Sequence, residues 1–425
     1  MAKTVLRCIE CKKEYGIDEV RYRCDCGDLL EVVLDIEALK ELNLKQEFDK
    51  RYGAKRFPYS SGVWRYKELI LDVPDKHIVS RIEGNTNLYC SEKISKFAGI
   101  PNICLKHEGE NPTGSFKDRG MTAGMTHANY LGANTVACAS TGNTSASMAS
   151  YAASCGKKSI VFIPEGKIAY GKLSQALAYG AKTLQIEGNF DDAMKLVQEV
   201  CDKPDIYLLN SINPFRTQGQ KAILYELIQQ QEWKVPDWIV LPGGNLGNNT
   251  AIANGLKDLE QLGIIDKIPK IGVIQAHGAN PFYRMWSTGK DFEPLKDPDT
   301  LATAIKIGNP VNWKKSVAGI KWSKGIVEDV TEQEIMDAKA IVDSSGIGAE
   351  PASCATVAGV KKLVEAGVID KSESVVGILT GNILKDPDVV VNYHQGKLEG
   401  IESKYANAPI KVKPNLEDVK KVLGM

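Results

Sequence analysis

Residues 107–120 read His107-Glu-Gly-Glu-Asn-Pro-Thr-Gly-Ser-Phe-Lys-Asp-Arg-Gly120, with Lys117 directly after Ser115-Phe116. A strand-like segment, Asn102–His107, runs into this stretch through the turn-forming Asn111-Pro112-Thr113-Gly114. A helix-like run leaves it from Met121. A lysine at the start of a helix sits near the positive end of the helix dipole, which disfavours its ammonium form. Partial burial acts in the same direction, and a neutral amine is what a carbonyl electrophile needs. A lone lysine in such a turn is ordinarily a surface residue; the surroundings of this one argue for chemistry.

Outward from Lys117 the strand–turn–helix unit repeats. Thr135–Ser140 is a short apolar strand ending in Ser140-Thr141-Gly142-Asn143-Thr144, followed by an Ala/Ser-rich helix to Ser154. Strands are expected at Lys158–Ile163, Thr183–Ile186 and Ile206–Asn210, with helices at about Ala169–Tyr179 and Phe190–Cys201. In the last of these, Phe190, Ala193, Met194, Val197 and Val200 recur at helical spacing. A second set begins with Trp238–Pro242, which ends in Gly243-Gly244-Asn245-Leu246-Gly247-Asn248 before a helix from Thr250. It continues with Lys270–Gln275 and with Ser374–Leu379, closed by Thr380-Gly381-Asn382. Short apolar strands alternating with helices predict an α/β fold of open, mostly parallel sheets with helices on both faces. A helical pattern covers Ile36–Phe48, residues 285–325 read as a long excursion, and a short strand and terminal helix are expected beyond Tyr405.

The 425 residues suffice for two globular units, and the 43% hydrophobic and 25% charged fractions are those of an ordinary globular protein. Lys+Arg and Asp+Glu both total 53, which argues against nucleic acid or an anionic membrane as a partner. No apolar run approaches the roughly 18 residues of a membrane helix, and the first residues lack a signal-peptide pattern. A cytoplasmic protein is expected, with its six scattered cysteines reduced and mostly buried.

The other four cysteines fall together, as Cys8-x-x-Cys11 and Cys24-x-Cys26-Gly27. Two tight turns could supply four thiolates to a structural zinc ion, as in a zinc ribbon, although two residues between the second pair would be the commoner spacing. A small β-hairpin module without metal is the alternative. Basic and acidic residues balance here too, so the ribbon carries no nucleic-acid footprint.

Each polar turn lies at the C-terminal end of a strand, where open α/β sheets bind ligands. Gly243–Asn248 offers backbone N–H groups and a helix N-terminus to an anion such as phosphate. No Lys-Ser/Thr follows, so it is not a P-loop, and its spacing is not that of the dinucleotide fingerprint; a tight packing turn is the plainer alternative. The five histidines are dispersed and no Gly-x-Ser-x-Gly elbow occurs. A poised lysine with a phosphate cradle suggests pyridoxal phosphate, held through the lysine and anchored by its phosphate.

Ser115-Phe116-Lys117-Asp118-Arg119, Ser140–Thr144 and Gly243–Asn248, in this order, resemble the tryptophan-synthase-β-like, fold-type-II pyridoxal-phosphate enzymes over roughly residues 80–385. Asn210-Ser-Ile-Asn-Pro-Phe-Arg216 and Lys172 resemble the threonine synthase branch of that family. The resemblance implies a two-lobed catalytic domain over 75–400 with a small lobe nested at about 125–225. A zinc-ribbon-like segment (1–34) precedes it and a tail (401–425) follows. The implied assembly is a homodimer acting on a small-molecule substrate.

The resemblance also implies roles. Lys117 carries the cofactor and moves protons, Asn143 faces the cofactor's phenolic oxygen, and Thr380 faces its pyridine nitrogen. Gly243, Gly244, Asn245, Leu246, Gly247 and Asn248 hold the cofactor phosphate. Ser140, Thr141 and Thr144 receive the substrate carboxylate, and Lys172, Asn210, Ser211 and Arg216 clamp the phosphate of O-phosphohomoserine. Asp118 and Arg119 are expected to cap and ion-pair rather than react. One departure is Asn87, where the family's Glu-Gly-Asn-Thr-Pro-Leu loop has proline; a looser turn is expected. The rival readings are a cysteate synthase-like enzyme acting on phosphoserine, a threonine/serine dehydratase without a second phosphate clamp, and a zinc-ribbon binding protein with an inactive enzyme-like domain.

Overall fold

The computed structural model describes residues 4–165, 170–188, 190–201 and 205–425. Its strands are β1 Val5–Cys8, β2 Glu14–Tyr15, β3 Leu30–Val33, β4 Leu88–Cys90, β5 Ile103–His107, β6 Thr135–Ala139, β7 Lys158–Pro164, β8 Lys182–Ile186, β9 Ile206–Leu208, β10 Trp238–Pro242, β11 Lys270–Ala276, β12 Ile326–Val330 and β13 Val375–Leu379. They form three sheets. A six-stranded sheet has the order β12-β11-β10-β13-β5-β4, a four-stranded sheet the order β8-β7-β6-β9, and the N-terminal ribbon the order β2-β1-β3.

All pairings in the four-stranded sheet are parallel. So are those of the six-stranded sheet apart from its antiparallel edge, β4 on β5. Parallel pairing places the ends of β5, β10 and β13 along one edge, so the turns after them meet although they are far apart in sequence. The central strands β10 (WIVLP) and β13 (VVGIL) are buried at every position. Each buried aliphatic side chain contributes roughly 1.5–3 kcal/mol, and burial on both faces explains why these strands show no alternation. Helix Pro351–Glu365 lies very close beneath the same sheet: a Cβ at Gly359 would come within 2.4 Å of Ile274 on β11.

The helix expected from Thr250 starts earlier, as Gly247–Gln261, because Leu246 takes a left-handed conformation (φ 60°) that turns the chain directly into it. The single pattern at Ile36–Phe48 is two helices, Ile36–Lys40 and Leu44–Arg51, separated at Asn43, the N-terminal cap of the second. Strand β12 and helix Glu332–Ser344 were not expected; the helix carries a Thr331/Glu334 capping box. The terminal helix is present as Leu416–Leu423, but among the described residues no strand follows Tyr405.

The expectation of reduced single cysteines fails at one pair. Cys90 faces Cys104 directly across the β4/β5 ladder, with Cα atoms 4.3 Å apart, and the two form a disulfide. Such closeness belongs to directly opposed antiparallel positions, which the sequence separation of 14 conceals. Unfolded without reductant, the chain should titrate eight free thiols rather than the ten cysteines of the sequence; ten would show that this bond does not form.

Candidate active site

Lys117 opens helix Lys117–Tyr130. The loop before it is zipped to the turn after β13: Phe116 N–H donates to the Thr380 carbonyl (3.0 Å) and Asn382 N–H to the Gly114 carbonyl (2.9 Å). Burial, then the Arg216 guanidinium, push the Lys117 ammonium down to about 7 against the opposing pull of Glu350. A cation and a carboxylate brought to one amine by three different elements mark a shared cleft.

Next to Lys117 the helix is fixed by buried charge. Arg119 donates to Glu108 (2.6 Å) and to Glu226 (2.8 Å), and Lys106 also pairs with Glu226 (2.6 Å). Asp118 accepts from the Thr113 N–H (2.7 Å) and hydroxyl (2.6 Å). Arg119 therefore ion-pairs, as expected, while Asp118 fastens the loop before the helix, whose N-terminal cap, Phe116, makes no side-chain bond. The turn at Asn87 is not loose: its N–H donates to Glu110 (2.6 Å) and its side-chain amide reaches the same carboxylate (3.1 Å). A proline could not make the first bond.

Asn143 begins helix Asn143–Ser154, and its amide donates to Glu350 (3.0 and 3.3 Å). The Thr380 hydroxyl lies 3.2 Å from the same carboxylate and 2.9 Å from the Ser353 hydroxyl. Glu350, buried just before helix Pro351–Glu365, is the functional residue that sequence reasoning missed. Glu-Pro at a helix start was a legible signal, but its reach to Asn143 and Thr380 depends on sheet order. The expected hydroxyl at Thr380 thus has a carboxylate one hydrogen bond behind it.

The Gly243–Asn248 turn follows β10. Gly243 N–H is committed to the Ile274 carbonyl (2.7 Å), so the donors left to an anion begin at Gly244 and include the first turn of helix Gly247–Gln261, whose N–H groups have no intrahelical acceptor. A Cβ on Gly244 would press on Ile305 at 3.3 Å, so the bare glycine lets this turn pack tightly against that segment. Asn312, also missed, ties this turn to the clamp: its amide reaches the carbonyls of Asn245 and Ser211, each at 3.4 Å.

Of the expected clamp, Arg216 is buried in helix Pro214–Gln220. It donates through Nη1 to the Leu209 carbonyl (3.0 Å); burial holds its pKa down at about 10, and no carboxylate pairs with it among the described residues. Asn210 is engaged at both ends of its amide with the backbone of Ala139 (2.9 Å each), so it joins the ends of β6 and β9. Ser140, Thr141 and Thr144 sit partly exposed around the start of the Asn143 helix, and Ser211 is likewise partly exposed. Lys172 belongs to helix Tyr170–Ala178; its side chain lies outside the described residues.

The residues present fit a cofactor with one phosphate and a substrate with another. Buried polar atoms without a partner gather here: Arg216 Nε, Ser115 Oγ, Gln220 Oε1 and both amide atoms of Asn248. Unmet buried polar atoms cost about 1–3 kcal/mol each, and ligands that satisfy them relieve that cost. In the ribbon, one ligand atom from each of Cys8, Cys11, Cys24 and Cys26 lies within 4.8 Å of the others, so the four could hold a metal ion.

The family described as pyridoxal-phosphate dependent enzymes matches residues 79–381. A threonine synthase of Methanocaldococcus jannaschii is 48% identical over 98% of both chains. The chloroplastic threonine synthase 2 of Arabidopsis thaliana is 41% identical over 97% of this chain and 82% of its own. Among solved structures, maize serine racemase superposes with a TM-score of 0.62 at 19% identity, covering 74% of this chain and 92% of that one; at that identity the likeness is one of fold.

Proposed function

The chain belongs to the pyridoxal-phosphate dependent enzymes and, within them, to the threonine synthases, and from that premise we propose that it converts O-phospho-L-homoserine and water into L-threonine and inorganic phosphate, the closing step of threonine biosynthesis. The observation that carries the substrate is Arg216, a buried guanidinium without an acidic partner among the described residues, close enough to Lys117 to depress its pKa. A dehydratase substrate, lacking phosphate, would leave that charge unmet.

Bound through Lys117, pyridoxal phosphate supplies the electron sink that lets protons leave Cα and Cβ and the γ-phosphate depart. Asn143 and Thr380 would hold its ring and Gly244–Asn248 its phosphate, with Gly243 shaping the turn. The Lys117 amine, titrating at about 7, takes the α-proton and returns protons to Cγ and Cα. Arg216, with Lys172 and Ser211, neutralises charge on the departing phosphate oxygen, while Asn210 sets the loop that presents Ser211 and Arg216. Ser140, Thr141 and Thr144 orient the substrate carboxylate at a helix N-terminus. The same reading makes the chain a cytoplasmic homodimer without a nucleic-acid partner, its small lobe (about 125–225) closing on a catalytic domain of 75–400 flanked by the 1–34 ribbon and the 401–425 tail. No helix among the described residues is long and apolar enough to cross a membrane.

The test is product analysis with O-phosphohomoserine. Threonine equal to released phosphate is expected; phosphate with 2-oxobutanoate would indicate a lyase that deaminates, and turnover only of phosphoserine with sulfite a cysteate synthase-like enzyme. Uptake of pyridoxal phosphate by cofactor-free protein needs the neutral amine, so its rate should rise with pH through about 7. Because the Glu350 carboxylate pulls that value up, Glu350→Gln should move the midpoint to lower pH. An unmoved midpoint would remove Glu350 from the field at Lys117.

A further inference from the structure

The ribbon is too small to own a core, with strands of four, two and four residues, and its apolar side chains go two ways. Leu6, Leu30 and Val32 join the core that contains Phe215 and Leu224, continuous with the β10/β11 side of the six-stranded sheet. Leu29, Ile9 and Tyr22 pack instead with Ala139, Phe162 and Leu208 of the four-stranded sheet.

Its polar contacts divide in the same way. On one side the Tyr22 hydroxyl accepts from Leu208 N–H (2.7 Å), and His127 Nε2 meets the Ile17 carbonyl (2.7 Å). On the other, Lys314 pairs with Asp28 (2.6 Å) and Lys315 donates to the Leu30 carbonyl (2.6 Å). Both grips lie next to the cleft. Leu208 ends β9 just before the Asn210–Arg216 stretch, and the two lysines follow Asn312, which joins Ser211 to the Asn245 turn.

The thiols that would stiffen this piece are already gathered. Cys8 and Cys26 Sγ are 3.5 Å apart and Cys11 and Cys24 Sγ 3.4 Å, while a tetrahedral tetrathiolate with Zn–S of about 2.3 Å has sulfurs about 3.8 Å apart. Glu10 N–H donates to Cys8 Sγ (3.4 Å) and the Tyr15 hydroxyl bonds Cys24 Sγ (3.1 Å), the outer contacts that orient metal ligands.

We propose that Cys8, Cys11, Cys24 and Cys26 bind one thiophilic divalent cation of the zinc type, and that the ribbon so knit is a strut between the two sheet units, setting how firmly the Asn210–Arg216 clamp is held against the Gly244–Asn248 cradle. The thiols release their protons to solvent as the cation binds, and the binding free energy becomes folding free energy of the ribbon. Its effect falls on substrate binding, since the cradle itself is built without ribbon residues.

The experiment uses the full-length, cofactor-loaded protein, with zinc as the probe. Expected are one zinc per chain by elemental analysis and, after chelation, faster amide hydrogen exchange over 205–216. The KM for O-phosphohomoserine should rise about 5-fold or more with the cofactor's visible absorbance retained, and added zinc should reverse each change. Failure to bind stoichiometric zinc, or unchanged exchange over 205–216 after its removal, overturns the proposal. Where chelated protein does not stay folded, Tyr22→Phe keeps all four thiols; it should hold its zinc yet exchange faster at Leu208, and unchanged exchange there overturns the strut. The KM readout alone rests on the substrate proposed above, so zinc and exchange results as expected without turnover count against that substrate only.

Discussion

Lys117→Ala lowers turnover of O-phosphohomoserine by about ten-thousand-fold or more, because one substitution removes both the tether of the cofactor and the base. Loss of a positioned general base alone costs about 100- to 10,000-fold. The fold should survive. The amine lies 4.2 Å from the Phe116 ring and forms no ion pair among the described residues, so nothing is left unpaired by its removal. The stability difference has a definite sign with pH. Folded Lys117 titrates at about 7 and an unfolded lysine at about 10.4, so between these values the unfolded chain binds the extra proton. Cofactor-free wild type therefore gains stability as pH rises through that window, and the alanine variant lacks this gain. Thermal melts at neutral and alkaline pH check it; parallel curves for the two proteins would mean that the amine is not desolvated.

Arg216→Met gives the second large effect, a fall in kcat/KM of about 100- to 1,000-fold with little change in stability. The two costs of the substitution nearly cancel. It leaves the Leu209 carbonyl without its donor, worth about 1–3 kcal/mol, and it removes a buried guanidinium whose desolvation no acid among the described residues offsets, a relief of similar size. Arg119→Met is the contrast. It would leave Glu108 and Glu226 short of a buried cation, which costs about 3–5 kcal/mol. Comparable melting points for wild type and Arg216→Met, and a much lower one for Arg119→Met, separate an anion-binding arginine from a structural one. A large loss of stability in Arg216→Met would place it in the second class.

The alternation of strands and helices, the polar turns at strand ends and the lysine's position at a helix start were all legible in the sequence, since each rests on local periodicity and turn chemistry. What stayed hidden depends on strand order. Glu350 meets Thr380 because its helix packs beneath β13, and it meets Asn143 only because the end of β6 in the other sheet reaches that turn. Cys90 meets Cys104 only because β4 folds back as an antiparallel edge. Asn312 sits in a stretch without periodicity, and its two carbonyl partners are 67 and 101 residues away in the chain. The helix before Glu350 did carry a local signal, the Thr331-x-x-Glu334 capping box, whereas strand β12 has ordinary composition and no distinctive turn. Asn210 illustrates the opposite limit. Its place in the motif was plain, but its commitment to the backbone of Ala139 appears only when β6 and β9 are side by side.

The bond that water enters distinguishes replacement at carbon from hydrolysis at phosphorus. With cofactor-loaded enzyme and O-phosphohomoserine in water enriched in heavy oxygen, departure of the γ-phosphate by C–O cleavage and addition of water at Cβ put the label in the hydroxyl of threonine and none in the phosphate. Label in the phosphate, with the carbon product unlabelled, would mean hydrolysis at phosphorus and would contradict the roles given to Lys117 and Arg216.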